Sequence, residues 1–361
     1  MRRAIVSCSV LALASAFAAS CGSSSSGSAS SPTSGPKKIG TVTLLAHSSF
    51  AVSKSVLAAF TRQTGYKVRI LNPNDAGVMV NQAILQKDHP VADAMFGVDN
   101  TFLTRALNAN LFDPYVAPGL AELPVAFRNL DVEHRVTPID TGDVCVVDDN
   151  SWFGKSGRSP APATLDDLTK PAYKNLLIVE NPATSSPGLA FLLATIAAKG
   201  GDGWQDYWRA LKANGVRVVD DWEQAYSTDF TAGGGSGDRP IVVSYGSDPA
   251  ADVVASSPHR DTTHVGVLAS TCFQQMEFAG VLRGAHNVPG AQALIGFMLS
   301  RSFQEDMPLQ MYVYPVTTDA QLPAVFRKWA VVPAHPYSMS PAVISAGRDQ
   351  WIREWTSIVV G

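Results

Sequence analysis

The sequence predicts an α/β protein of two lobes, each a mainly parallel sheet flanked by helices, joined by crossing strands that act as a hinge. Three observations predict it. Strand-like and helix-like segments alternate from residue 41 onward. The body of roughly 320 residues exceeds what one core usually encloses, so two lobes are expected. Two long apolar stretches, 136–147 and 265–282, are suited to cross from one lobe to the other.

In the first α/β unit, residues 41–45 read as a strand. Ser53 can then cap a helix whose Leu57 and Phe60 face inward and which stops at Gly65. Residues 67–71 alternate, with Val68 and Ile70 on one face of a second strand. A helix over 75–88, a buried strand over 92–98 and a helix over 100–110, with Phe102, Leu103 and Leu107 inward, complete the unit. The second unit reads as strand 176–179, helices 187–199 and 204–213, strand 216–219, helix 222–230 and strand 240–245. After the return crossing come a helix over 289–303, a strand over 312–316 and an amphipathic helix over 341–359. The expected partition is 39–140 with 272–316 for one lobe and 141–271 with 317–361 for the other, hinged near Thr141 and Thr271. Ligands of such sheets bind outside the carboxyl ends of the strands.

Ahead of the body, Arg2-Arg3 and the apolar run 4–19 have the form of a secretory signal over residues 1–20, too short to span a bilayer. Ala18-Ala19-Ser20-Cys21-Gly22 resembles a bacterial lipoprotein cleavage box, with Ala18 where Leu is usual. That likeness implies a lipid on Cys21 and a place on the outer face of the cytoplasmic membrane; the alternative is an ordinary signal with an incidental cysteine. Residues 21–38 are Ser-rich and lack the apolar content to order themselves, so they read as a linker.

The formal net charge is −3, and loss of Arg2 and Arg3 makes it more negative, which disfavours a nucleic-acid partner. Cys8 leaves with the signal. Cys145 and Cys272 then remain, either as one disulfide or as two buried thiols.

Three strand-to-helix junctions converge on one expected cleft edge. Thr184-Ser185-Ser186-Pro187-Gly188-Leu189 offers Ser186 as N-cap and Pro187 as the first helical residue, leaving backbone N–H groups free for an anion. Asp220-Asp221-Trp222 starts another helix with an indole that can stack on a heteroaromatic or cationic ring. Tyr245-Gly246-Ser247-Asp248 ends a buried strand. Each junction also has a purely structural reading, as a cap or a core aromatic. Enzyme signatures are missing: there is no nucleophile elbow, zinc-protease motif, Walker sequence or dinucleotide fingerprint. No Cys/His cluster suggests a metal or a resident cofactor, and His259 with His264 suits a solvated loop.

In order, Ser49-Phe50, Gly77-Val78, Gly97-Val98-Asp99-Asn100, Pro138-Ile139-Asp140-Thr141-Gly142, Thr184 to Leu189, Trp222 with Tyr226, Ser244-Tyr245, Gln275 with Glu277, Tyr314-Pro315-Val316 and Trp351 to Trp355 resemble the bacterial thiamine-binding proteins of ABC uptake systems. The resemblance covers nearly the whole body. It implies a periplasmic-binding-protein fold of type II, no enzymatic activity, capture of thiamine or its mono- or diphosphate, and delivery by a monomer to a permease with a separate ATPase. The family's ligand contacts fall on Ala76, Gly77, Ser185, Ser186, Trp222, Tyr245, Gly246, Ser247 and Asp248, with His47, Asp75, Asp99, Tyr226 and Tyr312 as further candidates. The chain departs from the pattern where the family's Asp is Ala76, preceded by Asp75, and where an aromatic is His47.

Other solutes on the same fold, such as ferric iron, a polyamine or a phosphonate, are the nearest alternatives, although no Tyr-Tyr pair offers iron ligands. A secreted enzyme that degrades thiamine or cleaves a phosphate ester is a further one; it would need a nucleophile or a metal, and Cys145 is the one plausible thiol. A purely structural envelope protein is the third.

Overall fold

The computed structural model describes residues 40–128, 130–234, 237–256 and 258–361. The expected signal, Cys21 and the whole of the linker lie outside the described residues. The described body, which begins at Gly40 and runs to Gly361, is one compact unit by its internal packing.

Ten strands of the described residues form one continuous sheet in the order β2-β1-β3-β9-β5-β8-β6-β7. At one end, β1 (Gly40–Ala46) runs parallel to β2 (Tyr66–Leu71) and to β3 (Ala94–Asp99). At the other, β6 (Leu177–Glu180) runs parallel to β7 (Arg217–Val219) and β8 (Ile241–Tyr245). Between them lie β5 (Thr137–Asp149) and β9 (Val265–Leu282), antiparallel to each other and long enough to serve both ends. The far end of β9 pairs with β3, while the far end of β5 pairs with β8. Short strands β4 (Phe112–Asp113) and β10 (Tyr314–Pro315) attach to β9 and β5. The sheet is therefore mixed: parallel outside, where helical crossovers join strands, and antiparallel where the two crossing strands meet.

The crossing strands are tied where the hinge was expected. Cys145 on β5 and Cys272 on β9 form a disulfide, which resolves the two readings of that pair. Beside it, the buried Thr271 hydroxyl accepts from Val146 N–H at 2.9 Å and donates to the Leu268 carbonyl at 2.7 Å. β5 and β9 shift register between Val144 and Val146, so these bonds satisfy backbone groups that the irregular ladder leaves open.

Helices follow their end signals. α1 (Lys54–Thr64) is capped by Ser53 and stopped by Gly65 at φ 80°. α2 (Ala76–Leu85) is capped by Asp75, and α3 (Leu103–Asn108) follows β3. α4 (Ser186–Lys199) is apolar all round and buried along most of its length, packed on the sheet beneath α5 (Gly203–Ala213). Trp208 of α5 packs edge-on against Phe191 and Trp355, which brings α9 (Pro341–Val359) onto the same layer. α6 (Asp248–Ala255), α7 (Val288–Met298) and α8 (Ala324–Trp329) complete the larger helices.

Four expectations need correction. The N-cap of α4 is Ser185, not Ser186, because Ser185 keeps the extended backbone (φ −120°, ψ 136°) while Ser186 is already helical. Segment 222–230 is π-helical over Glu223–Asp229. The helix expected over 289–303 breaks after Met298, where Ser300 turns extended and starts the separate turn Arg301–Gln304. Buried Gln304 accounts for the break: its amide donates to the carbonyls of Met298 and Ile139 and accepts from Val316 N–H. The strand expected over 312–316 shrinks to two residues, since Tyr312 sits at φ 59°, outside the extended range.

Candidate functional site

A cavity of about 620 Å³ lies at the carboxyl ends of the parallel strands, within the range of small-molecule sites. Its lining comes from both ends of the sheet. His47 and Ser49 follow β1, and Asp75 with Ala76 opens α2. Ser186 and Pro187 open α4, Trp222 precedes the π-helical turn that carries Tyr226, and Tyr245 ends β8. Gln275 and Glu277 project from one face of β9, two residues apart as strand geometry requires.

The two walls touch each other. Asp75 accepts from Ala76 N–H at 2.6 Å through one oxygen and from Trp222 N–H at 3.2 Å through the other. Val78 N–H donates to the Thr184 carbonyl at 3.2 Å, and Ser49 Oγ donates to Glu223 at 3.4 Å. Gly77 permits this approach: a Cβ there would stand 2.5 Å from the Thr184 carbonyl oxygen.

One wall is aromatic. Trp222 and Tyr226 stack with ring centroids 5.0 Å apart and planes 11° apart, and Tyr245 meets the indole edge-on at 6.2 Å. The indole N–H donates to Ser244 Oγ at 2.8 Å, fixing the ring plane.

Carboxyls line the other wall and the floor, and Asp248 adds one beside Tyr245 on the aromatic wall. His47 Nε2 lies 3.2 Å from Glu277 Oε1. Burial opposes the imidazolium, yet Glu277, Asp75 and Asp99 outweigh it and hold the His47 pKa above its ordinary value. The imidazole is wedged against Gly97, whose φ is 91° and where a Cβ would meet His47 Cδ2 at 2.2 Å. Burial raises Asp75, and raises Asp99 to about 6 although Thr101 and Gln275 donate to it. Asp248 is lifted to about 7, chiefly by burial, while accepting from Tyr245 N–H at 3.1 Å. Asp140 is fully buried opposite Glu277 in the β5–β9 ladder; burial and repulsion from Glu277 push it far up. Glu180, also fully buried, is pushed far up by burial and by Asp75, Asp221 and Asp248. So dense a set of carboxyls favours a ligand that brings positive charge.

Of the residues the sequence singled out, His47, Asp75, Ala76, Ser186, Trp222, Tyr226, Tyr245, Asp248 and Tyr312 line the cavity. Asp99 lies beneath it, bonded to Gln275 at 3.0 Å. Gly77, Ser185, Gly246 and Ser247 are not among the lining residues: Gly77 meets Thr184, Ser185 is buried at the start of α4, and a Cβ on Gly246 would stand 2.5 Å from the Val331 carbonyl oxygen. Glu277, Gln275, Asp252 and Arg260 were missed as site residues. The alternation of Gln275 and Glu277 in an otherwise apolar strand was an available signal; Arg260, in a polar loop, carried none.

No three His, Cys, Asp or Glu side chains among the described residues could hold a metal ion together. Cys145, the thiol that a nucleophilic enzyme would need, is bonded to Cys272.

A mixed sheet with two long crossing strands and a small-molecule cavity fed by both ends defines a two-lobed binding protein. Residues 89–331 match the model of the bacterial extracellular solute-binding protein family, and the chain belongs to that family. It is 27% identical over 323 residues to the thiamine-binding periplasmic protein of Salmonella typhimurium, covering 88% of this chain and 93% of that one. The Escherichia coli thiamine-binding periplasmic protein is likewise 27% identical, over 84% of this chain and 88% of its own. A solved periplasmic thiamin binding protein superposes with a TM-score of 0.77 at 24% identity, over 88% of this chain and 96% of that one. These relatives function outside the cytoplasm, consistent with export of this chain.

Proposed function

We propose that the solute is thiamine or one of its phosphate esters, captured in the cavity and handed to an ABC importer made of a permease and a separate ATPase. The observation that carries the reading is the pairing of an aromatic wall, Trp222, Tyr226 and Tyr245, with the carboxyls of Asp75, Asp248 and Glu277 around one cavity. Thiamine combines an aminopyrimidine with a permanently cationic thiazolium. Aromatic faces and carboxylates recognise such a cation, worth about 2 kcal/mol per ring contact when desolvated. The names of the relatives in Salmonella typhimurium and Escherichia coli support the same ligand.

Capture requires no bond to be made or broken. Ligand that contacts both walls favours the form in which they meet, and it shifts that equilibrium only by its preference for that form. Lobes bounded by residues 140–141 and 271–272 would turn about the crossing strands there. Cys21, lipidated and followed by the Ser-rich linker, would hold the body at the outer face of the membrane and raise the local concentration at which it meets the permease. Replacement of Cys21 by Ser is expected to release the chain from the membrane fraction; retention there in cells lacking the permease contradicts the anchor.

Titration calorimetry with thiamine, thiamine monophosphate and thiamine diphosphate tests the ligand. Saturation at one site per chain by at least one of them is expected. No saturable heat with any of the three, with ligand-induced thermal shift also missing, removes the assignment and leaves the fold untouched.

A further inference from the structure

Resting on the thiamine reading, we infer that Asp140 is a positioning residue: a neutral carboxylic acid that donates to Glu277 and holds that carboxylate, paired with His47, at the cavity for the ligand's positive charge. Two irregularities of the sheet build the arrangement. β9 lies between β3 and β5, and Glu277 is partnered by Asp99 on one side and by Asp140 on the other. Each ladder shifts register just before the carboxyl, at Gly97 in β3 and at Ile139 in β5. Without the shift in β5, Ile139 would oppose Glu277 and Asp140 would oppose Met276. Such bulges re-aim a side chain and recur beside functional sites. This one is held in place: buried Ile139 packs in an apolar cluster, and its carbonyl accepts from the Gln304 amide at 2.8 Å.

The three carboxyls in this row are not equivalent. Asp99 accepts from Thr101 N–H and Oγ1, from Phe102 N–H and from the Gln275 amide. Glu277 lines the cavity and has His47 Nε2 at 3.2 Å. Asp140 is fully buried, and neither of its oxygens has a donor among the described residues. On β10 its partner is Pro315, which lacks an N–H. The other titratable groups on neighbouring elements are Asp143 on β5, Tyr314 on β10 and Asp75 at the start of α2. Arg301, on the turn that carries Gln304, is engaged by Glu305 at the surface. His47 is therefore the base nearest the row, and it is paired with Glu277.

An ionised carboxylate without a donor, set against a second carboxylate in a buried sheet, is not sustained. One proton must be shared by the pair, and it rests on Asp140 because the cation stands on the Glu277 side. Burial and the charge of Glu277 both raise Asp140, and the two carboxyls are within hydrogen-bonding reach. The Asp140 O–H then donates to Glu277, a charge-assisted bond that fixes the carboxylate without cancelling its charge. Asp140 itself is not among the cavity-lining residues, so it acts on the ligand through Glu277.

Infrared difference spectra and calorimetry test this, on variants checked for native circular dichroism. Subtracting the spectrum of Asp140→Asn from that of the wild type at neutral pH should leave the carbonyl band of a protonated carboxylic acid, which moves in heavy water. A carboxylate band in its place overturns the inference, and this arm decides even if Asp140→Ala does not fold. For thiamine, Asp140→Ala should weaken binding about fivefold to tenfold. Asp140→Asn, whose amide still donates, should recover most of that loss. In a Glu277→Gln background, Asp140→Ala should cost less than about twofold, because the carboxylate it positions is gone. No loss in Asp140→Ala, an equal loss in Asp140→Asn, or a loss that persists beside Glu277→Gln overturns the positioning role while the thiamine reading stands. If neither thiamine nor its phosphate esters bind the wild type, both fail together.

Discussion

The two walls of the cavity are made of different materials. The wall after β1 and at the start of α2 presents His47 and Asp75, backed by Asp99 and faced by Glu277; the wall from the other end of the sheet presents the rings of Trp222, Tyr226 and Tyr245. The first wall supplies charge alone, while the second supplies the stacking surface together with Asp248, so a ligand that uses every one of these groups touches both walls. Ligand that needs both must draw them together, and selectivity and closure thereby become one event. The Asp75 contact to Trp222 N–H joins the walls through the same carboxylate that faces the ligand.

The largest effect is expected from the aromatic wall. Trp222→Ala removes the stacking face and leaves Tyr226 and Ser244 without their partner. Affinity for thiamine should drop on the order of 100-fold, about 2.7 kcal/mol, as read by fluorescence or calorimetry. A change below threefold would place the ligand elsewhere. A smaller loss should follow Glu277→Gln, which removes one carboxylate but leaves Asp75 and Asp248: roughly tenfold, about 1.4 kcal/mol. If Glu277→Gln costs more than Trp222→Ala, charge rather than stacking dominates and the division of labour is reversed.

The gentlest probe is pH. With Asp99 raised to about 6 and Asp248 to about 7, ligand-free protein holds protons there that a bound cation expels. Thiamine affinity should therefore rise between pH 5 and pH 8, by roughly tenfold for each proton fully released per pH unit. Stability of the ligand-free protein runs the other way. Between the unfolded carboxyl value of about 4 and these raised values the folded state binds more protons, so stability falls as pH rises through that window. The raised His47 acts in the same sense, since its contribution is lost as pH rises through the folded value. Thermal melts with and without thiamine at pH 5 and pH 8 check both signs; parallel curves would mean that these carboxyls do not face the ligand.

The same contrast explains what could be read in the sequence. The aromatic wall was legible because Trp222, Tyr226 and Tyr245 sit at strand-to-helix junctions, where periodicity switches and the chain must emerge at the sheet edge. Both crossing strands were legible as long apolar runs, and β9 and α9 were expected over the residues they occupy. The charged wall was harder to read. Asp75 looked displaced by one position from the family pattern, but as N-cap of α2 its carboxylate turns back over the helix start and reaches Trp222. Glu277 and Asp140 are brought together only by the pairing of two strands more than 100 residues apart, which no local pattern reports. At Gly77 and Gly246, both expected as ligand contacts, backbone from another segment comes too close for a side chain, a packing constraint that no local pattern reports.

A crystal structure of the protein grown with saturating thiamine tests the central claim most directly. The account predicts one ligand in the cavity, with its rings against Trp222 or Tyr245 and its thiazolium within reach of Asp75 or Glu277, so that residues of both walls touch the same molecule. A ligand bound to one wall alone, or lying outside this cavity, would contradict it.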